Sequence, residues 1–204
     1  MIKARLASLY VRFFRGAYAR RFASFGRNVY VVFPAGIEGA ERISLGNDVY
    51  IASGTYLAAT PHTKAATCQL KIGEGTKLGR FNHLYATRMI SIGRNVLTAS
   101  GVYIADNTHE FENPHEPILR QGVKQLGDVT IGDGAWLGHN VCILGASVGA
   151  QSVIGANSVV TQDVPDHCVA VGAPARIVRR YDPLHQTWRK TNPDGSFRED
   201  AATG

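Results

Sequence analysis

The sequence predicts an all-β solenoid built from short strands, and three observations support this prediction. Aliphatic or aromatic residues recur at intervals of six. Nine of eighteen such positions are followed directly by glycine, and small or β-branched residues alternate with them. A period of six does not match the 3.6-residue turn of an α-helix, but it suits a short strand followed by a turn. Stacked repeats of this kind bury a continuous core.

Three consecutive steps of six make one coil, so each triplet of repeat positions predicts one turn of a triangular solenoid. Six triplets align between residues 25 and 164, and Thr98 is their one polar member. The triplets are Phe25, Val31, Ile37; Leu45, Ile51, Leu57; Ile72, Leu78, Leu84; Ile92, Thr98, Ile104; Ile131, Leu137, Ile143; and Val148, Ile154, Val160.

Residues 1–24 precede the repeats and predict an amphipathic helix. Residues 1–37 contain no Asp or Glu but seven Lys or Arg. Three interpretations stay open: a helix packed on the end of the solenoid, a helix whose residues 1–22 contact an anionic membrane surface, and a transit peptide. The apolar residues spaced to share one helical face are Ile2, Leu6, Leu9, Phe13 and Ala17.

The composition favours a cytoplasmic globular protein. The 204 residues suit one domain with appendages, 45% of them are hydrophobic, and the net charge is +6. Cys68, Cys142 and Cys168 form no CxxC pair and are odd in number, which disfavours a disulfide framework. No apolar run approaches the roughly 20 residues that span a bilayer. We expect a cytoplasmic protein without a nucleic-acid partner, peripheral at the inner face of the membrane if its helix binds lipid.

The longest interruption of the repeat is the loop 105–128, which opens with ADNTHEFENPHEPI. A long loop in a compact domain is usually functional or disordered. The apolar residues and prolines in this loop, such as Phe111 and Ile118, favour an ordered one. Histidine is the side chain whose ordinary pKa, about 6.5, suits proton transfer at neutral pH. The two histidines of the loop are therefore candidate functional residues.

Three segments resemble the hexapeptide-repeat acyltransferases, which are left-handed parallel β-helices: IGDGAWLGHNVCIL, VGAQSVIGANSVV and TQDVPDHCVAVGAPARIVRR. The resemblance covers about residues 25–180 and is nearest to the galactoside, maltose and polysaccharide O-acetyltransferases. It implies about six coils, a homotrimer, and acetyl-CoA in a groove between adjacent solenoids, with no metal. The left hand is implied by the family, since parallel crossovers are normally right-handed.

The resemblance assigns the catalytic base to His109, in the D-N-T-H of the extruded loop. A general base there would remove the acceptor's hydroxyl proton during direct transfer, an effect typically worth about 10² to 10⁴ in rate. Asp106, Glu110 and backbone carbonyls are open candidates to orient the imidazole. Asn82 is a candidate oxyanion donor, although an inward packing role is the alternative. The candidate substrate-binding residues are Asn82, His83, Asp106 and His115.

The same resemblance places acetyl-CoA along the last coils. Arginine suits its phosphates because the guanidinium fork matches phosphate oxygens. Two departures from the family pattern stand in this region: Gln162 replaces a lysine, and ILGASVG is one residue shorter near Gly145 and Ala146 and lacks a proline. The candidate cofactor-binding residues are Trp136, His139, Ala156, Thr161, Arg176 and Arg179.

The sequence thus predicts an acetyl-CoA-dependent O-acetyltransferase that acts on a sugar hydroxyl of a surface polysaccharide or its precursor. An N-acetyltransferase of an amino sugar and a non-catalytic hexapeptide-repeat scaffold remain as alternatives. A zinc enzyme of the γ-carbonic anhydrase type lacks a ligand, because Leu144 stands where its second histidine would fall after His139. The extension 165–204 predicts a hairpin with NPDG as its turn and Trp188 and Phe197 on its arms.

Overall fold

The computed structural model describes residues 2–192 and 195–198, with side chains from residue 9 onward. An α-helix, Ile2–Tyr18, and a 3-10 turn, Ala19–Arg21, lead into the first strand. Three parallel sheets then form the walls of a triangular solenoid. This arrangement confirms the all-β solenoid with an N-terminal helix that the sequence predicts.

Each sheet is one face of the solenoid and takes one strand from each coil. The first face contains Ser24–Phe25, Ile43–Leu45, Gln69–Ile72, Met89–Ile92 and Val129–Ile131. The second face contains Tyr30–Val31, Tyr50–Ile51, Lys77–Leu78, Leu97–Thr98, Trp136–Leu137, Val153–Ile154 and Cys168–Val171. The third face contains Gly36–Glu38, Tyr56–Ala59, His83–Ala86, Tyr103–Ala105, Cys142–Leu144 and Val159–Val160.

The strand register follows the repeat triplets. On the first face Leu45 pairs with Ile72, and on the third face Ile104 pairs with Ile143. The repeat residues point inward and most are fully buried, so successive coils stack like on like. Thr98, the polar exception, is also buried, and its hydroxyl accepts a hydrogen bond from the Gly79 backbone N–H at 2.9 Å.

Glycine at the corners allows the coils to stack closely. A Cβ added to Gly73 would lie 2.5 Å from the carbonyl carbon of Gly93, and one added to Gly46 would lie 2.6 Å from the backbone nitrogen of Glu74. Backbone at that distance cannot move aside for a side chain. The glycine that follows so many first-face repeat residues is therefore a steric requirement of the corner.

The ladder extends beyond the six predicted coils. Val164 bridges to Val148, and Cys168–Val171 pairs with Val153–Ile154, which makes a partial seventh coil. Two antiparallel strands, Arg176–Asp182 and Thr187–Lys190, then continue the second face. The remaining elements of the described residues are two further 3-10 turns, Ala40–Arg42 and Ile118–Arg120, and an antiparallel pair of strands, Asn107–His109 and Val123–Gln125.

The tail contains the predicted hairpin around NPDG and, before it, a second hairpin that the sequence analysis did not predict. Trp188 pairs with Tyr181 across a turn at residues 183–186, and not across NPDG. Buried Asp182 organises that turn, since it accepts hydrogen bonds from the Leu184 N–H at 3.0 Å and from the Arg189 guanidinium at 2.9 Å. Thr191 does bridge to Phe197 around NPDG, of which residues 193–194 lie outside the described residues, as does the closing AATG.

The helix packs through a face other than the predicted apolar one. Val11 and Phe14 are buried, and Tyr10 stacks on Phe33 with ring centroids 4.1 Å apart. Leu9 and Phe13, on the predicted stripe, are 62% and 69% exposed. The helix therefore carries two apolar faces, of which one covers the first coil. Within residues 2–192 and 195–198, no helix has the length and apolar character to cross a membrane.

Candidate active site

The loop 105–128 is anchored at its base by the buried carboxylate of Asp106. One oxygen accepts hydrogen bonds from the Thr87 N–H at 2.8 Å and the Thr87 hydroxyl at 2.9 Å. The other accepts from the N–H groups of Arg88 at 2.7 Å and Met89 at 2.8 Å. Burial on its own raises the pKa of Asp106, but the hydrogen bonds from Asn107 and these N–H groups outweigh it and bring the pKa below its ordinary value. Asp106 therefore fastens the loop to the adjacent coil, and its carboxylate points towards residues 87–89 of that coil.

A second set of hydrogen bonds fixes the returning strand of the loop. Gln125 donates to the Asp106 carbonyl at 2.6 Å and accepts from the hydroxyls of Thr87 at 3.0 Å and Thr63 at 2.9 Å. Leu126 also donates its N–H to the Asp106 carbonyl at 2.9 Å. One network of hydrogen bonds thus holds together the two ends of the loop where it leaves and rejoins the solenoid.

His109 is the last residue of a short strand that begins directly after Asp106, next to this hydrogen-bond network. Asn107–His109 pairs antiparallel with Val123–Gln125, and His109 lies directly opposite Val123. The imidazole is exposed, and no described residue hydrogen-bonds to its ring. The backbone of His109 is therefore held by a hairpin while both ring nitrogens remain available. Neither Asp106 nor a neighbouring carbonyl orients the imidazole within this chain.

The tip of the loop is ordered by polar contacts, whereas the sequence analysis expected apolar ones. The Gln121 amide donates to the carbonyls of Asn113 at 2.9 Å and Glu116 at 2.7 Å. His115 lies exposed in this tip, and its N–H donates to the Asn113 side chain at 3.0 Å. The apolar side chains of the tip point to solvent: Phe111 is 63%, Ile118 53% and Leu119 91% exposed.

The outward side of the third face carries an aromatic and polar cluster below the loop. Tyr56, His83 and Tyr103 occupy the same register position on successive coils. The His83 ring centroid lies 4.6 Å from that of Tyr56 and 5.3 Å from that of Tyr103. We call these three residues, with Glu38 and Tyr85 beside them, the third-face cluster. The predicted candidate His83 is at its centre.

The third-face cluster contains three groups with shifted pKa values, of which Tyr103 has its pKa raised mainly by burial. Burial, followed by a hydrogen bond to Glu38, raises the pKa of Tyr56 to about 12. Burial lowers the pKa of His83, and the nearby Glu38 carboxylate partly opposes this. A neutral imidazole and neutral phenols therefore face outward here at neutral pH, which suits hydrogen bonding to an uncharged polar ligand.

Sequence reasoning identified His83 but missed the tyrosines around it. The signal was the residue immediately before the third member of each triplet, which is Tyr56 in the second coil and Tyr103 in the fourth. Because strand side chains alternate between faces, that position points outward in every coil. Reading this column would have found the cluster.

Asn82 lies inside the coil and does not reach the third-face surface. Its side chain is 1% exposed, its oxygen accepts the Val102 N–H at 2.8 Å, and its amide donates to the Thr98 hydroxyl. Both polar atoms are therefore used within the solenoid. The structure gives Asn82 the packing role that the sequence analysis held as its alternative.

Three of the cofactor candidates, Trp136, Arg176 and Arg179, lie on strands of the second face. Trp136, Val153, Val169 and Arg179 pair in that order across adjacent strands. Three strand spacings separate Trp136 from Arg179, a distance of about 14 Å. Trp136 is 48% exposed, so an aromatic surface and a guanidinium lie at opposite ends of one column.

His139 and Ala156 lie near the corner between the second and third faces, and Thr161 directly follows the last third-face strand, Val159–Val160. His139 and Ala156 are exposed at equivalent positions of successive coils, and the Asn157 N–H donates to the His139 carbonyl at 2.8 Å. Thr161 and Arg176 are exposed near the segment 172–175, which caps the third face through a 2.8 Å bond from the Ala175 N–H to the Val159 carbonyl. All six candidates therefore lie on the C-terminal coils.

The structure places the loop at one edge of the third face and the candidates His139 and Ala156 at the opposite edge. The loop leaves after Tyr103–Ala105, at the corner with the first face, whereas His139 precedes Cys142–Leu144, at the corner with the second face. One third-face strand lies between them. A single chain therefore does not bring His109 to His139 and Ala156.

Within the described part of the chain, no group of three or more His, Cys, Asp or Glu side chains is arranged to hold a metal ion. Leu144, at the position where a zinc enzyme of this architecture would need histidine, lies at the end of a third-face strand.

Comparison with known sequences supports the repeat assignment. Residues 128–162 match the profile described as the hexapeptide repeat of succinyl-transferase. This part of the chain therefore carries a hexapeptide repeat. The resemblance that predicted the repeat is confirmed, and the predicted fold is confirmed by the solved structures described below.

Two curated relatives of this hexapeptide-repeat protein carry acetyltransferase names. A supposed acetyltransferase of Staphylococcus aureus (strain MRSA252) is 42% identical over 76 residues, which are 37% of this chain and 37% of that protein. Galactoside O-acetyltransferase of Escherichia coli (strain K12) is 41% identical over 66 residues, or 32% of each chain. The alignments span about a third of the length of these relatives.

Solved structures extend the likeness over most of the fold. AntD, an N-acyltransferase from Bacillus cereus crystallised with dTDP and 3-hydroxybutyryl-CoA, superposes with a TM-score of 0.70 at 22% identity, over 84% of this chain and 89% of AntD. A hexapeptide-repeat acetyltransferase from Vibrio cholerae in complex with acetyl-CoA gives a TM-score of 0.56 at 24% identity, over 80% and 74% of the two chains. At these identities the likeness shows a shared fold.

Proposed function

We propose that this hexapeptide-repeat protein is an acetyl-CoA-dependent acetyltransferase that acetylates a hydroxyl of a sugar, in a surface polysaccharide or its precursor. The observation that carries the proposal is the position of His109. An imidazole without a ring partner stands at the end of a fixed hairpin that is extruded from an acyltransferase-like solenoid. Galactoside O-acetyltransferase among the relatives supports the acceptor class.

In the proposed reaction His109 acts as general base towards the acceptor hydroxyl. Its free ring nitrogen takes the hydroxyl proton as the oxygen attacks the thioester carbonyl carbon. The carbon–sulfur bond then breaks, and the imidazolium returns the proton to the departing CoA thiolate. No covalent intermediate on the protein is needed. Asn82, buried and fully hydrogen-bonded, is not available as an oxyanion donor, so backbone N–H groups are the proposed donors.

The donor would lie along the C-terminal coils. Trp136 offers an aromatic contact, and the exposed forks of Arg176 and Arg179 suit the phosphates. Ala156, which has no bulky side chain at its corner, leaves backbone groups accessible to the pantetheine amides. Thr161 is exposed beside the capping segment and His139 at the corner, both open to the same ligand.

A homotrimer would complete this site. Because His109 and His139 occupy opposite edges of the third face, a neighbouring solenoid must supply one of the two edges. The exposed Phe111, Ile118 and Leu119 at the tip of the loop suit contact with that neighbour. We propose that each active site combines the loop of one subunit with the C-terminal coils of the next.

The third-face cluster is the proposed acceptor surface. Half-buried Tyr56, His83 and Tyr103 present hydroxyls, ring nitrogens and aromatic faces, which are groups that bind uncharged sugars. The cluster belongs to the coils that precede the loop, so an acceptor bound there would approach His109 from the side of those coils. Asp106 would contribute indirectly, by fixing the loop, and His115 would contact a part of the acceptor beyond the reacting hydroxyl.

A second candidate function is N-acetylation of an amino sugar. It is favoured by AntD, which is named as an N-acyltransferase and shares the fold over 84% of this chain. The same base and donor site would serve, since the two reactions differ in the acceptor atom. A cytoplasmic location, proposed from the three free cysteines, is compatible with both.

Calorimetric titration with acetyl-CoA tests the donor site first, with Zn²⁺ as a ligand control. We expect saturable binding near one site per chain, weakened by Arg176→Ala and Arg179→Ala but not by Arg27→Ala, an exposed arginine on the first coil. Product analysis with matched hydroxyl and amino sugars would then separate O- from N-acetylation. A folded trimer without acetyl-CoA binding would favour the scaffold alternative and exclude the proposal.

A further inference from the structure

The outward face of the N-terminal helix is apolar, basic and uncovered. Leu9 is 62% and Phe13 69% exposed, one helical turn apart. Arg12 and Arg15 are exposed on the same helix. The helix is already fastened to the first coil by Val11 and Phe14, so this second face is not needed for folding.

The charge around this face has one sign. No Asp or Glu occurs in residues 1–37. Nearby Glu38 and Glu41 are engaged, Glu38 by the Tyr56 hydroxyl and Glu41 by Arg42. Because the Tyr56 hydroxyl is neutral, Glu38 keeps its charge, but the seven Lys or Arg of residues 1–37 outnumber it.

An apolar groove opens beside the exposed face. It has a volume of about 310 Å³ and lies between the helix and the first coil. Phe13 and Tyr18 line it on the helix side, Pro34 and Ile37 line it on the solenoid side, and Arg21 also contributes to its wall. The guanidinium of Arg21 lies over the Tyr18 ring, 4.9 Å from its centroid. Apolar volume next to a cation matches the chemistry of a lipid with a negatively charged head group.

We propose that this face binds the surface of an anionic phospholipid bilayer. Phe13 and Leu9 would enter the boundary between head groups and acyl chains, and the arginines would contact the phosphates, as in helices that lie in the membrane plane. A basic apolar face selects an anionic bilayer over a neutral one and over an ordinary protein surface. The membrane would then lie at the N-terminal end of the solenoid.

Cosedimentation with lipid vesicles tests this proposal without requiring enzyme activity. The full chain is mixed with vesicles of phosphatidylglycerol and phosphatidylcholine in equal parts, and with vesicles of phosphatidylcholine alone. We expect binding to the first and little to the second, weakening as salt is raised. Arg12→Gln with Arg15→Gln should weaken binding about thirtyfold, since each charge lost near an anionic surface reduces affinity about fivefold.

Matched controls change the same chemistry elsewhere. Arg80→Gln with Arg120→Gln removes two exposed charges from other parts of the solenoid and should leave binding within about twofold. Phe13→Ser should weaken binding, and Leu184→Ser, at a side chain 89% exposed in the tail, should not. All four substituted positions are on the surface, so thermal melts should match the parent chain.

Two results would overturn the proposal. One is equal binding to neutral and anionic vesicles, or none to either. The other is a loss of oligomers on Phe13→Ser, measured by analytical ultracentrifugation, with vesicle binding unchanged. In that case the face would be a contact between copies of the chain.

Discussion

The solenoid wall and the loop 105–128 are ordered by different forces, and the difference separates stability from chemistry. In the wall, aliphatic residues of successive coils stack on one another. Leu84 and Ile104 are such a pair, and both are fully buried. In the loop, Phe111 and Leu119 are exposed, and order comes from the hydrogen bonds of Gln125 and Gln121. The wall therefore supplies a rigid frame, while the loop presents side chains whose polar atoms are still free.

His109→Ala is the substitution with the largest expected effect. Loss of a general base should lower turnover about 10² to 10⁴-fold while the thermal melt stays unchanged. The exposed Glu116→Ala in the same loop is the control, and its turnover should remain near that of the parent chain. Steady-state kinetics with acetyl-CoA measures both. Equal losses for the two variants would remove His109 from its proposed role.

Truncation of matched leucines should separate wall from loop. Leu84→Ala empties a fully buried site and should lower the free energy of unfolding by about 2–5 kcal/mol. In the isolated chain, outside the proposed trimer, Leu119→Ala removes a side chain that is 91% exposed and should stay within about 0.5 kcal/mol. Urea denaturation compares them. A large loss at Leu119 in the isolated chain would show that the tip of the loop packs on its own solenoid.

Asp106→Asn should weaken the connection between wall and loop. The carboxylate accepts bonds from the Thr87, Arg88 and Met89 N–H groups, and an amide cannot accept with both of its polar atoms. We expect a loss of about 1–3 kcal/mol in the free energy of unfolding at neutral pH. Glu116→Gln, an exposed carboxylate of the same loop, is the control.

The pH dependence of that loss has a defined sign. The pKa of Asp106 is lowered in the folded chain, so its contribution to stability is complete above the ordinary value of 3.8 and disappears as the pH falls through the lower folded value. The difference between Asp106→Asn and the parent chain should therefore be constant near neutrality and shrink in acid. A difference that grows below pH 3.8 would contradict the assignment.

Glu112→Gln should have the smallest effect. The hydrogen bond from Lys124 lowers the pKa of Glu112 to about 2, but both side chains are about half exposed. Solvent and salt screen such pairs, so we expect no measurable change in the melting temperature at physiological salt. A change as large as that of Asp106→Asn would mean that the hairpin depends more on this surface ion pair than on the buried hydrogen bonds of Asp106.

The sequence predicted the wall well because each residue of the repeat has one physical task. Aliphatic residues every six positions must point inward, and corner glycines such as Gly73 are required by backbone 2.5 Å away. The loop was located by the break in that period. Its internal contacts were not predicted, since Asp106 and Gln125 are nineteen residues apart and nothing local pairs them.

Asn82 illustrates the same limit inside the wall. Read alone, a polar residue in a coil suggested chemistry, but it bonds to Thr98, the one polar member of the repeat. The two exceptions form a pair that becomes visible when consecutive coils are stacked. The N-terminal helix is a further case. Its apolar stripe left open which face packs on the solenoid, and the structure buries Val11 and Phe14 there, beside Tyr10 stacked on Phe33.

The amino-acid sequence by itself determined the solenoid, the register of its coils, the site of the extruded loop and the basic character of the first 37 residues. Periodicity and composition are local, and strand sterics translate them directly into inward and outward faces. The tertiary structure alone decided which polar residues are used up within the chain and which remain free. It buried Asp106 and Asn82, exposed His109, gathered Tyr56, His83 and Tyr103, and left Phe13 uncovered. Those outcomes depend on contacts between coils, which sequence spacing does not encode.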